Sequence, residues 1–116
     1  MVMGADILVV DDDRDVRETV AAVLDGEGYH VHCAENGAQA LSMMMHGTKP
    51  TAIILDLMMP VMNGWELLQI VRDDAELCRI PVVVLSAMRA PFEMPHLAKP
   101  VSLEDLVHTL DRVCRH

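Results

Sequence analysis

Three short segments of this chain are apolar at every position: Ile7-Leu8-Val9-Val10, Ala52-Ile53-Ile54-Leu55 and Val82-Val83-Val84-Leu85. Runs of this length, rich in β-branched residues and without polar alternation, predict strands buried on both faces. Tyr29-His30-Val31-His32-Cys33 alternates with period two instead, and predicts an edge strand with one wet face. A brief stretch from His96 to Ala98 predicts a fifth strand.

Helical spacing fills the intervals. Val16, Val20, Val23 and Leu24 recur on one side of a first helix that Asp13 can cap, with Arg14, Arg17, Glu18 and Asp25 opposite and Gly26 and Gly28 marking its end. Asn36-Gly37 opens a second helix that ends near Gly47. Ala38, Ala40, Leu41, Met44 and Met45 fit this helix, and Met44 and Met45 are expected to pack, with Met43 nearer the surface. After a loop holding Pro60 and Gly64, Trp65, Leu67, Leu68 and Val71 give a third helix. Ser102 opens the last, with Leu103, Leu106, Val107, Leu110 and Val113 at core spacing. Arg112 and Arg115 lie in its final turns, where positive charge suits the helix dipole. Strand and helix alternating in this way predict an α/β class, a doubly wound parallel sheet with helices on both faces, in a single domain over residues 1–116.

One interval breaks the rhythm. Residues 87–98 separate Ser86 from Lys99, and some of these belong to the fifth strand. An average helix takes about eleven residues, and its two loops take several more. Pro91 and Pro95 further oppose a helix. The helix between the fourth and fifth strands is therefore expected to be absent or cut to about one turn.

Composition narrows the partners. At 116 residues and 52% apolar content the chain can support one folded core. A net charge of −9 argues against a nucleic-acid surface and against docking on an anionic membrane. The apolar runs fall far short of the roughly 18 residues that span a bilayer. There is no basic leader, and Asp6 interrupts any apolar core of a signal peptide, so a cytoplasmic location is expected. Cys33, Cys78 and Cys114 are odd in number and form no CxxC pair, and are expected to be reduced, partly buried thiols.

The strand ends carry the chemistry. The first runs into Asp11-Asp12-Asp13, the third into Asp56, the fourth into Ser86 and the fifth into Lys99. If the strands are parallel neighbours, these groups meet at the sheet edge where open α/β folds bind ligands. Crowded carboxylates there favour a hard divalent cation such as Mg²⁺, which takes oxygen ligands and keeps several waters. A carboxylate in that setting can be a nucleophile, forming an aspartyl phosphate. Phosphoryl transfer needs positioning and charge neutralisation above all, and Lys99 and the Ser86 hydroxyl could meet the phosphoryl oxygens.

Four segments, Ile7 to Asp13, Asp56-Leu57-Met58-Met59-Pro60-Val61-Met62-Asn63-Gly64, Val84-Leu85-Ser86-Ala87 and Lys99-Pro100, together resemble a receiver (response regulator) domain of two-component signalling, in the CheY-like superfamily. The resemblance covers essentially the whole chain. It implies a flavodoxin-like sheet of order 2-1-3-4-5. It implies a phosphorelay in which Asp56 accepts a phosphoryl group from a histidine kinase or histidine phosphotransfer protein. Asp11, Asp12, Asp56 and the backbone carbonyl of Met58 would hold Mg²⁺. Ser86 and Lys99 would bind phosphoryl oxygens, and Ser86 and His96 would act in switching. Such a domain is a signalling phosphoacceptor rather than an enzyme, limited to self-phosphorylation and autodephosphorylation, and it works through altered protein–protein contacts with an output partner.

The chain departs from the family in three places. Loss of the fourth helix would alter the face usually used for output and dimerisation, so phosphoryl reception is expected to persist while output is remodelled. His96 stands where the family usually has Tyr or Phe. Imidazole is smaller, polar and titrates near neutrality, so His96 is either a half-exposed edge-strand histidine without a switching role or, on the sharper expectation, a weakened or pH-sensitive switch. An activation response that His96→Tyr leaves unchanged would remove the sharper expectation. The third departure is the apolar Met58, two residues past Asp56 and beside the expected path of attacking water, where it predicts slower loss of the phosphoryl group than in a Met58→Asn variant. The alternative function is a degenerate receiver serving as a phosphorylation-independent binding scaffold. A hydrolase of the haloacid dehalogenase type is disfavoured, because it wants an acid/base Asp at the position of Met58.

Overall fold

The computed structural model of the chain describes residues 4–57, 64–86, 96–98 and 102–114. Five parallel strands, β1 (Asp6–Val10), β2 (His30–Ala34), β3 (Ala52–Asp56), β4 (Val82–Ser86) and β5 (His96–Ala98), form one sheet in the order β2-β1-β3-β4-β5. Among the described residues there are four α-helices, α1 (Arg14–Gly26), α2 (Gly37–Met45), α3 (Gly64–Asp73) and α4 (Leu103–Cys114). The expected class and strand order both hold. The interval after Ser86, where a helix is expected to be missing or shortened, lies outside the described residues.

The unbroken apolar strands are explained by what covers them. Successive side chains point to opposite faces. Ile7, Val9, Ala52, Ile54, Val83 and Leu85 pack with Val20 and Leu24 of α1 and with Leu106 and Leu110 of α4. Their neighbours Leu8, Val10, Ile53, Leu55, Val82 and Val84 pack with Ala40 and Met44 of α2 and with Leu67, Leu68 and Val71 of α3. Both parities are therefore core, and a slip of one residue would exchange the two layers. The pairings Val10 with Leu55 and Asp56 with Leu85 fix which groups emerge together at the sheet edge.

Local signals set the helix ends. The Asp13 carboxylate accepts from the amides of Asp15 and Val16 at 3.0 and 3.3 Å. Asn36 accepts from the Gln39 amide at 2.8 Å, and the Ser102 hydroxyl from the Asp105 amide at 3.3 Å. Each side chain satisfies a donor that the helix itself leaves unpaired. Gly28 and Gly47, at φ 95° and 111°, turn the chain back after α1 and α2 in a region that disfavours side chains.

Two expectations need correction. Met45 is 71% exposed, while Met43 packs against the core. The two residues flank the buried Met44 by about 100° on either side, so spacing does not tell which is covered. Cys33 and Cys78 are exposed and only Cys114 is partly buried, although all three are free. Cys33 lies on the edge strand β2. Cys78 lies in a surface 3₁₀ turn, Leu77–Arg79, which periodicity does not reveal. Asp74 secures that turn by accepting from the Glu76 and Leu77 amides at 2.8 and 2.9 Å, and these N–H groups, Leu77 foremost, hold its carboxyl below the usual carboxylate range. Desolvation pushes the partly buried Cys114 thiol up, and the Cys33 thiol on the edge strand shifts the same way, although the residue as a whole is exposed.

The wet side of β2 is as expected. His30 is exposed, and His32 Nε2 lies 3.2 Å from Asp6 Oδ1 in a half-exposed contact of the kind that contributes little to stability. No helix among the described residues is long and apolar enough to cross a membrane.

Candidate functional site

The site follows from strand order and residue parity. From β1 the chain crosses through α1 to β2 on one side, whereas β3 lies on the other side of β1. The crevice between the ends of β1 and β3 is thus a topological switch point. Asp11 lies one residue beyond the Val10–Leu55 pair, beside Asp56 on the neighbouring strand. Asp11 continues the row Ile7, Val9, and Asp56 continues the row Ala52, Ile54, the rows that face α1 and α4. Neighbouring strands run roughly 4.8 Å apart, so two carboxylates in these positions must crowd. Carboxylate oxygens of Asp11, Asp12 and Asp56 indeed lie within 4.8 Å of one another. Asp11 and Asp56 are only 1% and 3% exposed, and Asp12 forms the exposed rim.

The backbone around the acidic loop is tied at several points. The Asp11 amide donates to the Ala34 carbonyl at 3.2 Å, prolonging the β1–β2 ladder. The Asp13 amide donates to Asp11 Oδ1 at 2.9 Å, which fixes the turn between them. The Arg17 guanidinium reaches back from α1 and donates from Nη1 to the Asp11 carbonyl oxygen at 2.8 Å. Sequence reading assigns Arg17 only to the polar face of α1. No local signal in the sequence separates it from Arg14 on the same turn.

Asp56 is held through the chain that follows it. The Leu57 amide donates to the Leu85 carbonyl at 3.4 Å, and the Gly64 amide donates to the Leu57 carbonyl at 3.1 Å. The Gly64 amide therefore ties the start of α3 to the chain just past Asp56. A Cβ on Gly64 would overlap the Asp56 carbonyl oxygen and stand 2.5 Å from Leu57 Cα. The opening of α3 packs directly against the Asp56 backbone, and only glycine permits that approach.

Asp11, Asp12 and Asp56 are the predicted site residues that the structure brings together. Ser86 ends β4 next to Leu85, the register partner of Asp56. Its backbone is thus at the same edge, and its side chain lies outside the described part. His96 opens β5 opposite Val84. Met58 and Lys99 lie outside the described residues. The donor set fits a hard metal ion. Three carboxylates at this spacing repel one another, and a divalent cation that prefers oxygen ligands relieves the repulsion at the rim where Asp12 is open to water.

Comparison with known proteins agrees with this geometry. The family model described as the response regulator receiver domain matches residues 7–111. The response regulator MprA of Mycobacterium bovis is 35% identical over 122 residues, an alignment that covers 97% of this chain and 52% of the relative. The chain spans about half the length of the curated relatives it matches. Among solved structures, the chemotaxis response regulator CheY4 of Vibrio cholerae superposes with a TM-score of 0.86 at 32% identity, covering 96% of this chain and 99% of that one. A putative response regulator from Chloroflexus aurantiacus gives 0.89 at 28% identity, covering 97% and 99%. A sheet of order β2-β1-β3-β4-β5, an acidic cluster at its switch point and a family match over nearly the whole chain lead to one conclusion: the chain belongs to the response regulator receiver domains of two-component signalling, which are signalling modules.

Proposed function

We propose that Asp56 is the phosphoacceptor of a two-component phosphorelay and receives its phosphoryl group from a histidine kinase or a histidine phosphotransfer protein. The observation that carries this reading is the meeting of Asp11, Asp12 and Asp56 within 4.8 Å at the switch point. An Asp56 carboxylate oxygen attacks the phosphorus of the donor. The new O–P bond forms as the P–N bond to the donor imidazole breaks, and the imidazole leaves with its electron pair and takes up a proton. The product is an acyl phosphate on Asp56. Attack by water on that phosphorus returns the carboxylate and releases inorganic phosphate.

Asp11, Asp12 and Asp56 are the residues that would hold Mg²⁺, joined by the Met58 carbonyl from its place two residues past Asp56. When bound, the ion supplies positive charge against the oxygens of the transferring group. Ser86 and Lys99, from their sequence positions at the ends of β4 and β5, are assigned to the phosphoryl oxygens. The phosphorylated state acts by changing contacts with an output protein.

Intact mass after incubation with a small-molecule phosphodonor tests the reading. One added phosphoryl group is expected with Mg²⁺, and none when EDTA removes it. Labelling that is equal in EDTA would remove the metal from the account. No labelling under any condition would favour the scaffold alternative.

A further inference from the structure

We infer that Arg17 is a positioning residue for the acidic loop, acting on Asp12 through the peptide that joins it to Asp11. This rests on reading the acidic cluster as a Mg²⁺ site. The guanidinium Nη1 donates to the Asp11 carbonyl oxygen at 2.8 Å. That oxygen belongs to the same rigid plane as the Asp12 nitrogen and Cα. Holding it therefore sets ψ of Asp11 and φ of Asp12, and with them the direction in which the Asp12 carboxylate leaves the chain.

The neighbouring ties do not do this work. The Ala34 carbonyl holds the amide of Asp11, on the far side of its Cα, at 3.2 Å. The Asp13 amide, bonded to Asp11 Oδ1 at 2.9 Å, lies one peptide further on. Asp12 is the exposed member of the cluster and lacks the packing that fixes Asp11 and Asp56. Arg17 is partly buried, and its own amide donates to the Asp13 carbonyl at 2.9 Å, so the side chain projects from a turn anchored on the same loop. Arg14, on the same turn, instead pairs with Glu18 at 2.9 Å in an exposed contact.

The sign of the effect separates positioning from charge. Removing a positive charge beside three carboxylates would, through space, tighten binding of a cation. Releasing the Asp11–Asp12 peptide would weaken it. Loss of an outer partner that orients metal ligands typically costs at least tenfold in affinity. Arg17→Met is accordingly expected to weaken Mg²⁺ about tenfold. Arg17→Lys, which keeps the charge and one donor, is expected to stay within about threefold of the parent.

The measurement is the melting temperature of the parent, Arg17→Met and Arg17→Lys across a Mg²⁺ titration, since stabilisation rises with the logarithm of ligand over dissociation constant. The melting point without Mg²⁺ reads any general structural role, and its Mg²⁺ dependence reads positioning. Weaker binding in Arg17→Met with recovery in Arg17→Lys supports the inference. If Arg17→Met does not fold, Arg17→Lys against Arg17→Gln gives the same contrast. Unchanged or tighter Mg²⁺ binding in the neutral variant overturns it while leaving the metal site standing. A parent protein indifferent to Mg²⁺ would overturn the metal reading itself, and this inference with it.

Discussion

Asp56→Asn is expected to abolish phosphoryl uptake completely while raising the stability of the metal-free protein. The amide is close to isosteric, so the packing around a side chain only 3% exposed is preserved. It is not a nucleophile toward phosphorus, so no adduct forms. It also removes one of three charges whose oxygens lie within 4.8 Å of one another. At an effective dielectric constant of about 20, a like-charge pair 4.8 Å apart repels by roughly 3.5 kcal/mol before solvent screening reduces it. A gain of roughly 1–2 kcal/mol is expected, read as a melting temperature several degrees higher without Mg²⁺. Stabilisation by Mg²⁺ should shrink in the same variant, because a ligand has been lost. Thermal unfolding with and without Mg²⁺ checks both parts. A variant less stable than the parent without Mg²⁺ would show that carboxylate repulsion does not dominate this site.

Gly64→Ala is expected to be the most damaging single-methyl change in the described chain. The added Cβ would overlap the Asp56 carbonyl oxygen and approach Leu57 Cα to 2.5 Å, and both atoms are backbone at the end of a buried strand. A flexible side chain could move aside, but a central strand of the sheet cannot do so cheaply. Relief requires opening the bond from the Gly64 amide to the Leu57 carbonyl and shifting the start of α3. Overpacking in cores costs about 1–3 kcal/mol and occasionally more, and a cost of about 3 kcal/mol is expected here. Because the displaced backbone belongs to Asp56, phosphoryl uptake should fall further than stability alone explains. Leu110→Ala is the comparison, since it empties a fully buried position in the α4 layer without touching Asp56. Equal phosphoryl uptake in two folded variants of matched stability would contradict the coupling.

Much of this arrangement can be read before any coordinates. The strands are legible because both of their faces are buried: Ile7 and Val9 serve one layer, Leu8 and Val10 the other, and the segment reads as an unbroken apolar run. The acidic cluster is legible because its members sit at strand ends, where parallel order alone brings them together. Features that depend on approach between distant atoms are not legible. Nothing local marks Gly64 as the glycine that α3 needs against Asp56. Nothing local shows that Arg17 turns back to the Asp11 carbonyl rather than outward with Arg14. Met43 and Met45 are equivalent by spacing and differ only in what covers them. The Leu77–Arg79 turn is too short to carry a period, and its determinant is one Asp74 carboxylate receiving two amides.

The most direct test of the central claim is to trap the phosphorylated chain with borohydride, which reduces an acyl phosphate to the alcohol, and to sequence the resulting peptides by mass spectrometry. The account predicts homoserine at position 56 alone, formed only after treatment with a phosphodonor and Mg²⁺. Reduction at Asp11, Asp12 or Asp13, or a labelled chain with Asp56 intact, would contradict it.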